Sequence, residues 1–171
     1  MKEILGIIGS PRKLGNCEIM VKEISRQISI THELHLLRLQ DFNILPCRGC
    51  YHCLFKDGLC VLDDDLKTIT KAVVDADALI VAAPTYFLGI NSSIKRFLDR
   101  GLSLYTHAEK LWRKPAVGVV IAGIEGKEGY ILLCMQSFLK LILADDKQIT
   151  VVYGPLPGEF FIIDENKKAA A

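Results

Sequence analysis

Short, nearly uncharged apolar runs alternate with stretches of helical periodicity along almost the whole chain, and this alternation leaves few folds open. Ile4, Leu5, Gly6, Ile7 and Ile8 form the first run. It has the length and composition of a strand covered on both faces of a parallel sheet. Gly9-Ser10-Pro11 closes it. Beyond the loop, Cys17, Met20, Val21, Ile24 and Ile28 recur at spacings of three and four, which gathers them on one helical face. Leu34 to Leu39 predicts a second strand. Leu66, Ile69, Val73 and Val74 predict a helix that Asp63 or Asp64 caps. Then come a strand over Ala78 to Ala83, a helix over Asn91 to Leu102, a strand over Ala116 to Ala122, a strongly apolar helix over Gly129 to Ala144 and a strand over Ile149 to Tyr153. Parallel neighbours need crossovers of about a dozen residues or more, and the helices supply them. The expectation is an α/β fold: a doubly wound, five-stranded parallel sheet between helical layers, a three-layer sandwich. With 171 residues, no repeat and no linker, residues 1–171 read as a single domain.

Charge and hydropathy narrow the partners. Lys plus Arg total 21 against 20 Asp plus Glu, a formal charge of +1, which offers no positive field to steer the chain onto nucleic acid. Half of the residues are hydrophobic, far from a disordered composition. Met1-Lys2-Glu3 leads straight into the first strand without the features of a secretory signal. No apolar run approaches the roughly 18 residues of a bilayer span. The expectations are a cytoplasmic location, no nucleic-acid partner and no membrane partner. The polar, Ala-ended tail from Asp164 to Ala171 is short of a full closing helix and receives no function.

In doubly wound folds ligands sit outside the carboxyl ends of the strands, where the strand order reverses. The first such loop, Gly9-Ser10-Pro11-Arg12-Lys13-Leu14-Gly15-Asn16, joins a strand to a helix N-terminus, a place that favours an anion. Ser10 adds a hydroxyl and Arg12 a charge. The spacing fits neither the dinucleotide fingerprint nor the P-loop, so a monophosphate is favoured over a dinucleotide or triphosphate. A polar turn with a capped helix is the plain alternative. In a later loop Pro84 and Gly89 fix a tight turn, and Tyr86 and Phe87 offer flat apolar surface. The alternative there is two aromatics packed in the core.

Four of the six cysteines fall in the loop 46–62, as Cys47-x-x-Cys50-x-x-Cys53 followed by Cys60. A reducing compartment argues against a disulfide framework. Four thiolates suit an iron-sulfur cluster or zinc. Structural zinc more often uses separated pairs of ligands, whereas three cysteines at successive three-residue spacing resemble the compact ferredoxin run and favour a [4Fe-4S] cluster. Free thiols or zinc stay open. Arg48, Lys56 and Asp57 imply an exposed loop, because burying their charges would be costly. Cys134 reads as a small core residue of the apolar helix, with a fifth ligand as the alternative, and His52 as an exposed loop histidine that could otherwise replace or tune a ligand. No Ser/His/Asp arrangement or paired metal-binding histidines support hydrolysis.

Ile8-Gly9-Ser10-Pro11-Arg12-Lys13 with Gly15-Asn16, then Ala83-Pro84-Thr85-Tyr86-Phe87-Leu88-Gly89 and Phe97-Leu98-Asp99-Arg100, resemble the flavodoxin-like NADPH-dependent FMN reductase superfamily over residues 2 to about 163. The cysteine run, Ala122-Gly123-Ile124-Glu125-Gly126 and Pro157-Gly158-Glu159 look most like its iron-sulfur flavoproteins, electron-transfer proteins with FMN and a four-iron cluster. The resemblance implies that Ser10, Arg12, Gly15, Asn16 and Cys17 hold the FMN phosphate. Pro84, Thr85, Tyr86, Phe87 and Gly89, with Ala122, Gly123, Ile124, Glu125 and Gly126, would flank the flavin ring. It also implies a ferredoxin or another small electron carrier as donor, a small-molecule acceptor, and a homo-oligomer, either a homodimer or a homotetramer. Cys17 departs from the family, which usually has Ser or Thr there, and a thiol is the weaker partner for phosphate.

The flavin would carry the chemistry, so no side chain is assigned a catalytic role. Two other readings stand beside the electron carrier. One is a cluster-free NAD(P)H-dependent FMN, quinone or nitro-compound reductase on the same fold. The other is a non-enzymatic, zinc-stabilised binding module. The apolar helix after Gly129 carries more hydrophobic surface than one side of a sheet usually needs, which a subunit interface or its own subunit could cover.

Overall fold

Strand β1 (Lys2–Ile8) buries Ile4, Leu5, Ile7 and Ile8 to 4% exposure or less, so neither face meets water. Alternate residues serve opposite layers, as the strand period requires. Ile4 and Ile8, with Ile80, Ala82 and Val119, pack against Cys17, Met20 and Val21 of helix α1 (Asn16–Gln27). Leu5 and Ile7, with Leu79, Val81 and Val120, pack on the other face against Leu66, Ile69 and Val73 of the later helix Leu66–Asp75. At Gly6 an added Cβ would lie 2.6 Å from Val21 Cγ1, so α1 crosses the sheet where β1 has no side chain.

The computed structural model describes residues 1–28, 31–55, 58, 60–87, 89–112, 114–122, 133–135, 137–140, 149–154 and 161–163. The remaining strands are β2 (His32–Arg38), β3 (Ala78–Tyr86), β4 (Gly89–Ile90), β5 (Ala116–Ile121), β6 (Ile149–Gly154) and β7 (Phe161–Ile163). The helices after α1 are α2 (His52–Phe55), α3 (Leu66–Asp75), α4 (Ser92–Asp99), α5 (Leu102–Tyr105) and α6 (Ala108–Leu111). The sheet order is β2-β1-β3-β5-β6-β7. The first five are parallel neighbours, in the flavodoxin-like arrangement the sequence predicts.

Two short antiparallel strands were not anticipated. β4 pairs back on β3, and β7 pairs with β6; three residues beyond a Pro-rich segment give too short a pattern to read. The single helix expected over Asn91 to Leu102 is broken. Arg100 leaves helical geometry at the end of α4, and Gly101, buried where a Cβ would meet Phe138 at 2.9 Å, turns the chain into α5. Phe97 meets Phe138 edge-on, ring centroids 5.5 Å apart. Helical backbone at 133–135 and 137–140 agrees with the apolar helix, whose other residues lie outside those described. Among the described residues, no helix is long and apolar enough to cross a membrane.

Candidate functional site

The chain passes from β1 to β2 on one side and places β3 on the other, so the strand order reverses between β1 and β3. There the Gly9 N–H donates to the Ala82 carbonyl at 2.8 Å. Asn91 Nδ2 donates to the Gly9 carbonyl at 2.6 Å. The loop after β1 is thereby fastened to the end of β3 and the start of α4. Ser10 is buried, and its Oγ accepts the Arg12 N–H at 3.2 Å, which leaves the hydroxyl proton for a ligand. Arg12 and Asn16 are exposed. Gly15 is the N-cap of α1, and its carbonyl accepts from the Glu18 and Ile19 N–H groups, so the Asn16 and Cys17 N–H groups are the ones with no helix carbonyl to bond. A hydroxyl, an exposed guanidinium and these two N–H groups together fit a phosphate monoester.

Cys17 contributes differently from what its position suggests. Its side chain is 2% exposed and packs with Met20, Val21 and Ile8. Burial pushes the thiol up to about 12, so it stays uncharged, and only its backbone N–H is available to an anion. The usual hydroxyl at this place is therefore replaced by a core contact.

Glu18 and Arg38 were missed in the sequence. Glu18 is 1% exposed, yet it bonds Lys22 at 2.7 Å, Arg38 Nη2 at 2.6 Å and the Leu14 N–H at 3.0 Å. It pins Leu14, whose φ of 54° is strained for a side-chain-bearing residue. A glutamate three residues after the N-cap is the far half of a capping box, the signal that could have found it. The Lys22 hydrogen bond, together with Arg38 and the Leu14 N–H, outweighs burial and holds the Glu18 carboxyl at about 2. A depressed carboxyl contributes stability above its unfolded pKa of about 4.3 and loses it as pH falls toward the folded value. Glu18→Gln is expected to cost ~1–3 kcal/mol near neutrality and to flatten the stability profile between about pH 4 and 2, measured by urea unfolding. An unchanged profile would show that this buried carboxylate does not hold the loop.

At the end of β3, Thr85 Oγ1 donates to the Ile121 carbonyl at 2.9 Å, linking this loop to the end of β5. Thr85 pairs with Ile90 and Tyr86 with Gly89 in a tight hairpin. Pro84 is half-buried and Tyr86 is 45% exposed. Phe87, at the tip with φ 45°, is fully exposed. The aromatics are not core residues; they stand as free flat surface beside the switch point. Ala122 is buried at the end of β5, while Gly123, Ile124, Glu125 and Gly126 lie outside the described residues.

The cysteine loop leaves the carboxyl end of β2. Cys47 and Cys50 are exposed, Cys53 and Cys60 half-buried, and all four are free thiols. All four line one cavity of about 180 Å³ with Leu62, Arg100, Leu102 and Ser103. Burial pushes the Cys53 thiol up, and the neighbouring Cys60, Cys47 and Cys50 add to the effect. Among the described residues, no three His, Cys, Asp or Glu come together as a metal-binding group; the four cysteines share the lining of one cavity. Four cysteines in one lining suit a polynuclear centre by donor chemistry.

Two carboxylates close the loop. Asp64 accepts the Leu45 N–H at 2.8 Å and the Leu66 N–H at 3.2 Å, and Asp65 accepts the Asn43 N–H at 2.7 Å. The N-cap position of α3 falls on Asp65, one residue beyond the Asp63 or Asp64 expected, and its side chain makes no capping bond to the helix; Asp64 instead ties the Leu66 N–H to the Leu45 N–H across the loop. Arg48 is exposed, as anticipated, and Lys56 and Asp57 fall outside the described residues. His52 sits half-buried in α2 and does not line the cavity; Cys134 is half-buried in a separate groove with Leu98 and Phe138.

The family described as NADPH-dependent FMN reductase matches residues 2–141. An iron-sulfur flavoprotein of Archaeoglobus fulgidus is 33% identical over 168 residues, covering 98% of this chain and 74% of its own. An iron-sulfur flavoprotein of Methanocaldococcus jannaschii is 32% identical over 158 residues, covering 89% of this chain and 80% of its own. Among solved structures, an NAD(P)H:quinone oxidoreductase from Methanothermobacter marburgensis superposes with a TM-score of 0.63 at 16% identity, over 92% of this chain and 89% of its own. That similarity concerns the fold alone.

Proposed function

The chain belongs to the iron-sulfur flavoproteins of the NADPH-dependent FMN reductase superfamily, and we propose that it carries electrons between a [4Fe-4S] cluster on Cys47, Cys50, Cys53 and Cys60 and an FMN at the β1/β3 switch point. It is a flavin-dependent oxidoreductase, and FMN is its cofactor. The observation that carries the cluster reading is that the four cysteines line one cavity. When bound, the cluster supplies single electrons and the flavin exchanges one or two with an acceptor.

The chain's own residues do the rest. Ser10, Arg12 and the first-turn N–H groups of α1 bind the phosphate. Asn91 and Thr85 hold the two loops that frame the ring, and Tyr86 and Phe87 give it an apolar face. The exposed thiol loop places the cluster where a soluble carrier can reach it. A ferredoxin or similar small carrier is the donor, a small molecule the acceptor, and the working form a cytoplasmic homodimer or homotetramer.

The deciding measurement is iron, acid-labile sulfide, zinc and FMN per chain in protein made without oxygen. About four irons, four sulfides and one FMN support the two-centre carrier. FMN without iron after anaerobic reconstitution, with stoichiometric NAD(P)H oxidation, points to the cluster-free reductase. Zinc without flavin points to a binding module. Arg12→Ala is expected to weaken FMN by roughly tenfold or more, the worth of a hydrogen bond to a charged group, in a flavin-fluorescence titration, with iron unchanged. Equal affinity would remove Arg12 from the phosphate site.

A further inference from the structure

Arg100 is 3% exposed at the end of α4, and a buried guanidinium demands partners for five rigidly placed N–H bonds. Its Nη1 donates to Asp64 and, at 3.2 Å, to the Leu45 carbonyl. Nε and Nη2 are buried and, among the described residues, have no hydrogen-bond partner. The same side chain lines the cavity that Cys47, Cys50, Cys53 and Cys60 also line. Burial opposes its charge, but Asp64 and the nearby Cys60 sulfur together raise the guanidinium's pKa further. Asp64, itself tied to Leu45 and Leu66 on both sides of the loop, fixes the fork in place. A rigid buried cation thus has two nitrogens in need of acceptors, in a cavity whose lining holds four cysteine sulfurs beside Asp99, which Lys95 already pairs, and Ser103, whose hydroxyl donates to the Arg100 carbonyl.

We propose that Arg100 donates from Nε and Nη2 to sulfur of the cluster and thereby raises the cluster's reduction potential. The inference rests on the cluster reading. A four-thiolate cluster is anionic and becomes more so on reduction, so a fixed N–H donor with positive charge stabilises the reduced form more than the oxidised one. Arg48 lines the same cavity but is exposed, and water and salt screen it. Arg100 is a positioning residue: it touches the ligand sphere and takes no part in bond making.

The test compares wild type, Arg100→Gln, Arg100→Lys, Asp64→Asn and the double variant Asp64→Asn/Arg100→Gln, measuring iron and sulfide per chain and the cluster midpoint potential by anaerobic titration followed by electron paramagnetic resonance. The double variant leaves no unpaired buried carboxylate, and it is read against the Asp64→Asn single variant, which has lost the same negative charge, so that the difference is the cation's own. With iron retained, the double variant's reduced-to-oxidised ratio at a fixed solution potential is expected to fall about tenfold below that of Asp64→Asn, or 59 mV for a one-electron couple. Arg100→Lys recovers part of that fall, keeping the charge without the fork. A potential in an iron-replete double variant equal to that of Asp64→Asn overturns the proposal and leaves the cluster standing. Wild-type protein without iron and sulfide overturns the cluster reading, and this inference with it.

Discussion

Cys50→Ser protein, purified without oxygen, is expected to lose essentially all of its iron and acid-labile sulfide and to keep its FMN. Cys50 lies exposed on a turn that Gly49 at φ 64° and Tyr51 at φ 54° bend sharply. The Gly49 N–H is drawn to the Cys47 sulfur at 3.4 Å. Two of the proposed ligands are thus presented from one tight turn. A serine fills almost the same space, so the exposed turn persists. Its hydroxyl, though, is harder and far less acidic than a thiol, and soft thiolates are what iron-sulfur centres require. The proposed flavin site draws on other segments: the loop after β1, the hairpin after β3 and Asn91. None of those residues lines the cysteine cavity, which is why the two cofactors should separate in this variant. Iron, sulfide and flavin counted on one preparation check it; loss of flavin with iron unchanged would show that the two sites are not independent.

The parallel sheet could be read from the chain because its central strands are covered on both faces, so that Ile4 to Ile8 and Ala78 to Ala83 appear as unbroken apolar runs. The grouping of the four cysteines was visible too, and the fold brings all four to the lining of one cavity. What could not be read were the buried charges. Glu18 stands among Lys22 and Glu23 in an amphipathic helix, where one more charge passes for a solvated face. Arg100 and Asp64 lie 36 positions apart, and only their burial against one another reveals a pair. The break between α4 and α5 escaped for a related reason. Gly101 looks like a tolerated interruption until Phe138, far along the chain, is found where its side chain would be.

Gly58→Ala is expected to undo the docking of the cysteine loop, because this glycine meets two independent demands. It is buried between Cys53 and Cys60 with φ 73°, a conformation that costs an L-residue about 1–2 kcal/mol. An added Cβ would lie 2.0 Å from Thr106 Oγ1, 3.1 Å from Thr106 Cβ and 3.4 Å from His107 Nε2. Turning the threonine about χ1 relieves the first contact only by giving up the bond its hydroxyl donates to the Ser103 carbonyl at 2.9 Å, and the Cβ contact stays. Overpacking of this kind costs about 1–3 kcal/mol, so the substitution should destabilise by ~2–5 kcal/mol in all. The loss should fall first on the seat of Cys60, which lines a second cavity together with Gly58, Ser103 and His107. Iron retention should therefore fail before the sheet does. Thr106→Ala added to Gly58→Ala removes the hydroxyl but not the positive φ, so it should restore part of the stability and none of the backbone term. A double-mutant cycle on urea midpoints, with iron counted in each variant, measures that division. Gly58→Ala protein that keeps its iron and its wild-type midpoint would mean that the loop does not dock through Gly58.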